Sequence, residues 1–163
     1  MTRLNVRKTY KLYIKGEFPR TESGRFYAVT GKGGDLLANA CRGSRTDLRN
    51  AVAAARKAQS GWSGKTAYNR GQILYRIAEV CESRAAELAD ELQQQGSTAA
   101  QARKEVESVI DRWVYYAGWS DKYTQLFGSV NPVAGPYYNF TIPEPTGVVG
   151  IIAPEPALLG LVS

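Results

Sequence analysis

Cys41 and Cys81 are the only soft nucleophiles in this 163-residue chain, and it has no histidine to activate either. A nucleophilic cysteine needs an adjacent base or a setting that holds it as thiolate. Cys81 falls on an apolar helical stripe, where a free thiol packs as a small hydrophobe. Cys41 stands beside Arg42 at the end of a predicted strand, with no base in view. Both read as structural thiols. Zinc sites built from Cys and His are excluded by count. Glu105, Glu107 and Asp111 recur at helical spacing on a mixed-charge segment, which is the pattern of a solvated face with local ion pairs. Gly31-Lys32-Gly33-Gly34 has the glycines of a phosphate loop but lacks the Walker spacing, and no helix opens after it. It reads as a hairpin turn. No catalytic residue emerges from this inventory.

Charge and composition narrow the class further. The net charge of +6 lies wholly in residues 1–32, where eight Lys and Arg face Glu17 and Glu22. Such a segment could touch phosphates, but no basic helix with interleaved aromatics accompanies it. A solvated strand-and-turn region is the preferred reading, and a nucleic-acid partner is disfavoured. With 44% hydrophobic and 22% charged residues the chain has the composition of a globular domain. No apolar run approaches the ~20 residues of a membrane span, and Met1–Asn5 lacks the apolar centre of a signal peptide. The expectation is a cytoplasmic protein, in which a disulfide is disfavoured.

These residues must be positioned by a mixed set of elements. Tyr10–Ile14, Arg25–Val29 and Leu36–Ala40 alternate as short strands, with Lys15-Gly16 as a turn. Ser44 and Asp47 have capping-box spacing before a helix to about Gln59. Thr66 caps a longer helix to about Gln95, carrying the stripe Leu74, Ile77, Cys81, Ala85, Leu88 and Leu92. Gly96 stops it. Ser97 or Thr98 then caps a third helix, with Val106, Val109, Trp113, Tyr116 and Ala117 inward and Gly128 as its stop. The three helices, near 45–60, 66–95 and 98–127, are expected to pack on one another as the core.

The C-terminal quarter has a different pattern. From Pro136 to Ile142 the chain alternates, with Tyr138, Phe140 and Ile142 on one side and Tyr137, Asn139 and Thr141 on the other. Pro143 and Pro145 oppose its continuation as a central strand. An aromatic strand of this kind is suited to pairing with another chain's sheet edge. After Gly147, the run Val148-Val149-Gly150-Ile151-Ile152 is apolar on both faces, the signature of a strand buried on both sides in a parallel sheet.

Glu144-Pro145-Thr146-Gly147-Val148-Val149-Gly150-Ile151-Ile152-Ala153-Pro154 resembles the EP-x-GVVG-x-I-x-P stretch of the aldehyde dehydrogenase superfamily. Lys11–Phe18 resembles that family's YINGE strand and turn. Ala51–Arg56, Gly61-Trp62, Arg70–Leu74 and Tyr115-Tyr116-Ala117-Gly118-Trp119 follow in the family's order. The resemblance covers about the N-terminal third of a typical member.

What the resemblance implies is an α/β fold in the parent. This chain would be an α+β fragment: N-terminal antiparallel strands, three helices, a C-terminal β arm and one buried-type strand. It divides into residues 1–135, the N-terminal part of an NAD(P)-binding domain; 136–145, an oligomerisation arm; and 146–163, the start of the cofactor-domain sheet, truncated. The family mechanism uses a cysteine thiolate against the aldehyde, NAD(P) as hydride acceptor and a glutamate to activate water. An asparagine and a backbone N–H hold the oxyanion. That cysteine and glutamate belong to parts of the family outside the resemblance. Pro156 stands at the position of the oxyanion asparagine and offers no donor.

Ile152, Ala153, Pro154 and Glu155 match positions lining the nicotinamide side of the cofactor cleft. NAD or NADP is the parent family's cofactor, and no tight binding by this chain alone is expected. Two readings stay open. One is the N-terminal portion of an aldehyde-oxidising, NAD(P)-dependent oxidoreductase, catalytically incomplete and divergent. The other is a non-enzymatic assembly module. Under either, residues 136–163 are expected to bind a second copy or a partner subunit.

Overall fold

In the computed structural model, which describes residues 8–31 and 33–153, three strands, five helices and a further pair of strands follow in order. They are β1 (Thr9–Tyr10), β2 (Phe26–Thr30), β3 (Leu36–Cys41), α1 (Arg45–Ser63), α2 (Ala67–Ser83), α3 (Ala85–Gln94), α4 (Ala99–Trp119), α5 (Tyr123–Phe127), β4 (Ser129–Asn131) and β5 (Asn139–Thr141). The mixed α+β class matches the expectation, and several details differ.

The N-terminal strands form a sheet of order β1-β3-β2. The β2–β3 pair is antiparallel as expected, whereas β1 runs parallel to β3, with Thr9 opposite Asn39. Alternation has period two in both arrangements, so the pattern does not distinguish their direction. The expected strand Tyr10–Ile14 is shorter than its pattern. Beyond β1 the chain makes a tight reversal in which Ile14 and Glu17 exchange hydrogen bonds of 3.0 and 3.1 Å. Lys15 (φ 59°) and Gly16 (φ 82°) both sit in the left-handed region there, the requirement of a two-residue hairpin turn. The glycine loop after β2 is a hairpin turn, closed by the Gly31 N–H on the Asp35 carbonyl at 2.9 Å.

Helix starts follow the caps read from sequence. Ser44 and Asp47 form a reciprocal capping box at α1, Thr98 and Gln101 form another at α4, and Thr66 accepts from the Asn69 N–H at α2. Helix ends were less legible. α1 continues through Gly61 and Trp62 to Ser63. The expected single helix over 66–95 divides at Arg84, whose backbone (φ −115°, ψ 17°) leaves the helical region. There the Ser83 hydroxyl donates to the Val80 carbonyl at 2.8 Å, a local bond that competes with the helix ladder. Gly96 (φ 114°) ends α3 with the Ser97 N–H on Leu92 O and the Gly96 N–H on Gln93 O. That pair of bonds is a Schellman motif.

The core lies where α2 and α3 pack on α4. Ala102 is completely buried and Val106 is 2% exposed, with Leu92 against them and Ala85, Leu88, Ala89 and Ile110 around. Ala78 and Val109 extend it. The stripe from Leu74 to Leu92 therefore keeps its inward face across the break, although Ala78, rather than Ile77, is the deeply buried residue. α1 corrects the expectation of a three-helix core. It makes only slight contact with any other element, and Leu48 on its apolar face is 65% exposed.

Asp47 also ties α1 to the N-terminal loop. Its carboxylate accepts from Thr21 Oγ1 at 2.6 Å, from the Ser44 N–H at 2.8 Å and from the Glu22 N–H at 3.2 Å. The Thr21 hydroxyl first, and then the backbone donors, hold its pKa down at about 2, below an ordinary 3.8. A carboxylate depressed in the fold stabilises it above the unfolded pKa, and that contribution disappears as pH falls through the folded value. The chain should therefore lose stability between about pH 4 and pH 2. Asp47→Asn should flatten that slope. Urea midpoints of both chains across this range measure it, and parallel slopes would refute the assignment.

Candidate functional site

The run leading to the expected cofactor residues begins at Gly147, whose φ of 104° suits glycine alone. A Cβ there would lie 3.5 Å from the Gln59 side-chain nitrogen on α1. Val148–Ala153 then runs on with no strand partner among the described residues. The expected strand buried on both faces is not formed here. A strand exists through hydrogen bonds to a neighbour, and a β-branched composition does not supply one. Val149 and Ile151 are exposed, and Ile152 is fully exposed at 100%.

Of the four expected cofactor residues, Ile152 and Ala153 are placed, Ala153 half-buried. Pro154 and Glu155 lie outside the described residues, as does Pro156 at the oxyanion position. Ile152 and Ala153 carry no hydrogen-bonding side chain, so their side chains can form an apolar wall against a planar ring and offer a phosphate no donor.

The alternating segment is built more completely. β5 pairs antiparallel with β4 in the register Ser129–Thr141, Val130–Phe140 and Asn131–Asn139. Residues directly opposite share a face, so the ribbon has two different sides. On one, Asn131 Nδ2 donates to Asn139 Oδ1 at 3.1 Å and to Thr141 Oγ1 at 3.0 Å, and Ser129 bonds Asn131 at 3.0 Å. On the other stand Val130 and Phe140, with the Tyr138 ring 5.3 Å from that of Phe140. All three apolar residues, and Ile142 beyond them, are exposed. The side assignment read from alternation holds for Asn139, Phe140 and Thr141, although β5 is shorter than the expected Pro136–Ile142. β4, which pairs one edge of this segment, was not anticipated, because Ser129-Val130-Asn131 is too short to show a period.

The thiols sit where the sequence placed them, on β3 and α2, both half-buried. Burial pushes the Cys81 thiol up, against a smaller opposing effect of the Arg84 charge, so it is held protonated. Glu107 and Asp111 are exposed on α4 and Glu105 is half-buried. Among the described residues no group of three or more His, Cys, Asp and Glu could hold a metal ion. No described helix is long and apolar enough to cross a membrane.

A cavity of about 680 Å³, not anticipated from the residues, lies between α2 and α4, walled by Tyr68, Tyr75, Arg76, Val114, Asp121 and Lys122 among others. Its signal was the pairing of Gly71 with Ala117-Gly118. A Cβ on Gly71 would come within 3.0 Å of the Ala117 carbonyl oxygen, so the two helices approach closely at this point. Ser120, which lines it, donates its hydroxyl to the Tyr116 carbonyl at 3.2 Å.

The chain is similar to known proteins along most of its length. Residues 19–156 match the model of the aldehyde dehydrogenase family. The mitochondrial benzaldehyde dehydrogenase of Antirrhinum majus is 36% identical over 149 residues, covering 88% of this chain and 27% of that protein. Retinal dehydrogenase 2 of Homo sapiens is 36% identical over 153 residues, 90% of this chain and 29% of that protein. Among solved structures, an aldehyde dehydrogenase from Bacillus cereus superposes with a TM-score of 0.76 at 28% identity, over 82% of this chain and 28% of that one. PnpE in complex with nicotinamide adenine dinucleotide gives 0.75 at 30% identity, over 80% and 27%. The chain thus spans less than a third of the length of each of these relatives. With the match running from Pro19 to Pro156, the chain belongs to the aldehyde dehydrogenase family.

Proposed function

We propose that this chain is the N-terminal portion of an NAD(P)-dependent oxidoreductase that oxidises aldehydes to acids, and that alone it is catalytically incomplete. The observation that carries this reading is the 36% identity to named dehydrogenases along nearly the whole chain, over less than a third of their length. On it, residues 1–135 are the start of the cofactor domain, 136–145 the oligomerisation arm and 146–163 the first stretch of the cofactor-domain sheet. Ile152, Ala153, Pro154 and Glu155 would contribute one wall of the nicotinamide pocket. The full exposure of Ile152 supports this, since an apolar side chain at that place is free to meet a ring. NAD or NADP would supply the hydride acceptor. The residues that hold its phosphates, like the nucleophilic cysteine and the glutamate, lie in parts of the family outside this chain.

The expected result is no steady NADH or NADPH production from a panel of aliphatic and aromatic aldehydes with this chain alone. Turnover abolished by thiol alkylation would overturn the proposal. A second reading, a non-enzymatic assembly module, is favoured by the exposed apolar side of the β4–β5 ribbon. Both readings use that side to bind a second copy or a partner subunit.

A further inference from the structure

At the end of the N-terminal sheet lies a cavity of about 490 Å³ whose rim carries Lys11, Arg20 and Arg25. Strand register explains its position. Phe26 is opposite Cys41 and Thr9 is opposite Asn39, so Thr9, Phe26 and Cys41 occupy one face of the sheet. All three line the cavity, and Arg20, Thr21, Glu22, Gly24 and Arg25 of the loop before β2 line it with them.

That loop is held in place before any ligand arrives. Thr21 is buried, its hydroxyl and the Glu22 N–H are both bound to Asp47, and the Gly24 N–H returns to the Thr21 carbonyl at 3.1 Å. Glu22, the one acidic side chain lining the cavity, accepts from Ser44 Oγ at 3.3 Å at the start of α1. Among the described residues none of Lys11, Arg20 and Arg25 has an ion-pair partner; the pairs formed are Arg76–Glu79 and Arg84–Glu87. Three unpaired cations around one concavity repel each other and raise the local concentration of anions. Guanidinium groups match phosphate oxygens in pairs, and the exposed Phe26 ring offers a flat apolar wall beside them.

We propose that this cavity binds a small phosphate-bearing molecule, with the phosphate between Lys11, Arg20 and Arg25 and any organic part against Phe26. The preset loop lowers the ordering cost of binding.

Isothermal titration of the full chain at low ionic strength with inorganic pyrophosphate and with adenosine 5′-monophosphate tests it. The expected result is saturable binding that weakens as salt is added. Arg20→Gln and Arg25→Gln should each weaken it about tenfold or more, the worth of one charge-assisted hydrogen bond. Arg103→Gln on α4 should change nothing. Loss of the nucleotide's advantage in Phe26→Ala identifies an ester as the ligand, and equal binding of pyrophosphate identifies a free anion. Bound anion should also slow alkylation of Cys41, but not of Cys81, in the unsubstituted chain, a readout that depends on no variant folding. Failure of both anions to saturate overturns the proposal, as does binding indifferent to Arg20 and Arg25. Saturation by a single-stranded oligonucleotide alone overturns it in favour of a nucleic-acid surface.

Discussion

Val106→Asp should abolish the cooperative unfolding transition and most of the helical circular dichroism of this chain. Val106 is 2% exposed between Ala102 and Leu92 at the junction of α3 and α4. A carboxylate there would have no cationic partner within the apolar cluster, and burying such a charge costs several kcal/mol. A domain of this size has about 5–15 kcal/mol of stability in total, and the buried cluster here is small. Leu92→Ala, which removes volume without adding charge, should instead cost about 2–5 kcal/mol and leave a measurable, lower melting point. A native-like melt for Val106→Asp would show that α4 does not carry the core.

Much of this arrangement could be read from the residues, and the exceptions share physical causes. Caps were legible because a side-chain oxygen and a backbone N–H three residues on form a purely local bond, as at Ser44–Asp47 and Thr98–Gln101. The inward positions Leu74, Leu88, Leu92, Val106 and Val109 were legible because helical periodicity survives a break. Tyr116, expected inward, is instead 41% exposed, and the expected helix over 98–127 divides after Trp119 into α4 and α5. The break at Arg84 was not legible, since neither glycine nor proline marks it. The direction of β1 was hidden because alternation is blind to strand polarity. Val148–Ile152 shows the deeper limit. Its composition specifies a buried strand, yet burial and pairing are properties of neighbours, and among the described residues no strand pairs with it.

The candidate site divides in the same way. Both the family and the sidedness of the ribbon could be read from short motifs, each local in sequence. The cationic cavity could not, because it joins Lys11, the 20–25 loop and Cys41 through a register that only the folded sheet sets.

Substituting Phe140 and Ile142 together by serine should convert an associating chain into a monomer. Phe140, 52% exposed, stands with Val130 and Tyr138 on the apolar side of the ribbon, and Ile142, just past β5, is 63% exposed. A two-stranded ribbon is marginal in water without something packed on its apolar side, and a contiguous patch of this kind marks an interaction surface. Fully burying a side chain of this size contributes about 1.5–3 kcal/mol. A two-fold interface counts each residue twice, so the double substitution should weaken association at least about a thousandfold. The helices should be unaffected, because the ribbon's polar side, with Asn131 bonded to Asn139 and Thr141, is untouched.

Static light scattering of the intact chain over a concentration series, beside Phe140→Ser/Ile142→Ser, is the direct measure of whether this ribbon joins one copy to another. The expected masses are two or more chains for the intact protein and one chain for the double variant, with equal helical circular dichroism. An intact chain that stays monomeric at high concentration while residues 129–142 are protected from hydrogen exchange would contradict it, placing the ribbon against the chain's own helices.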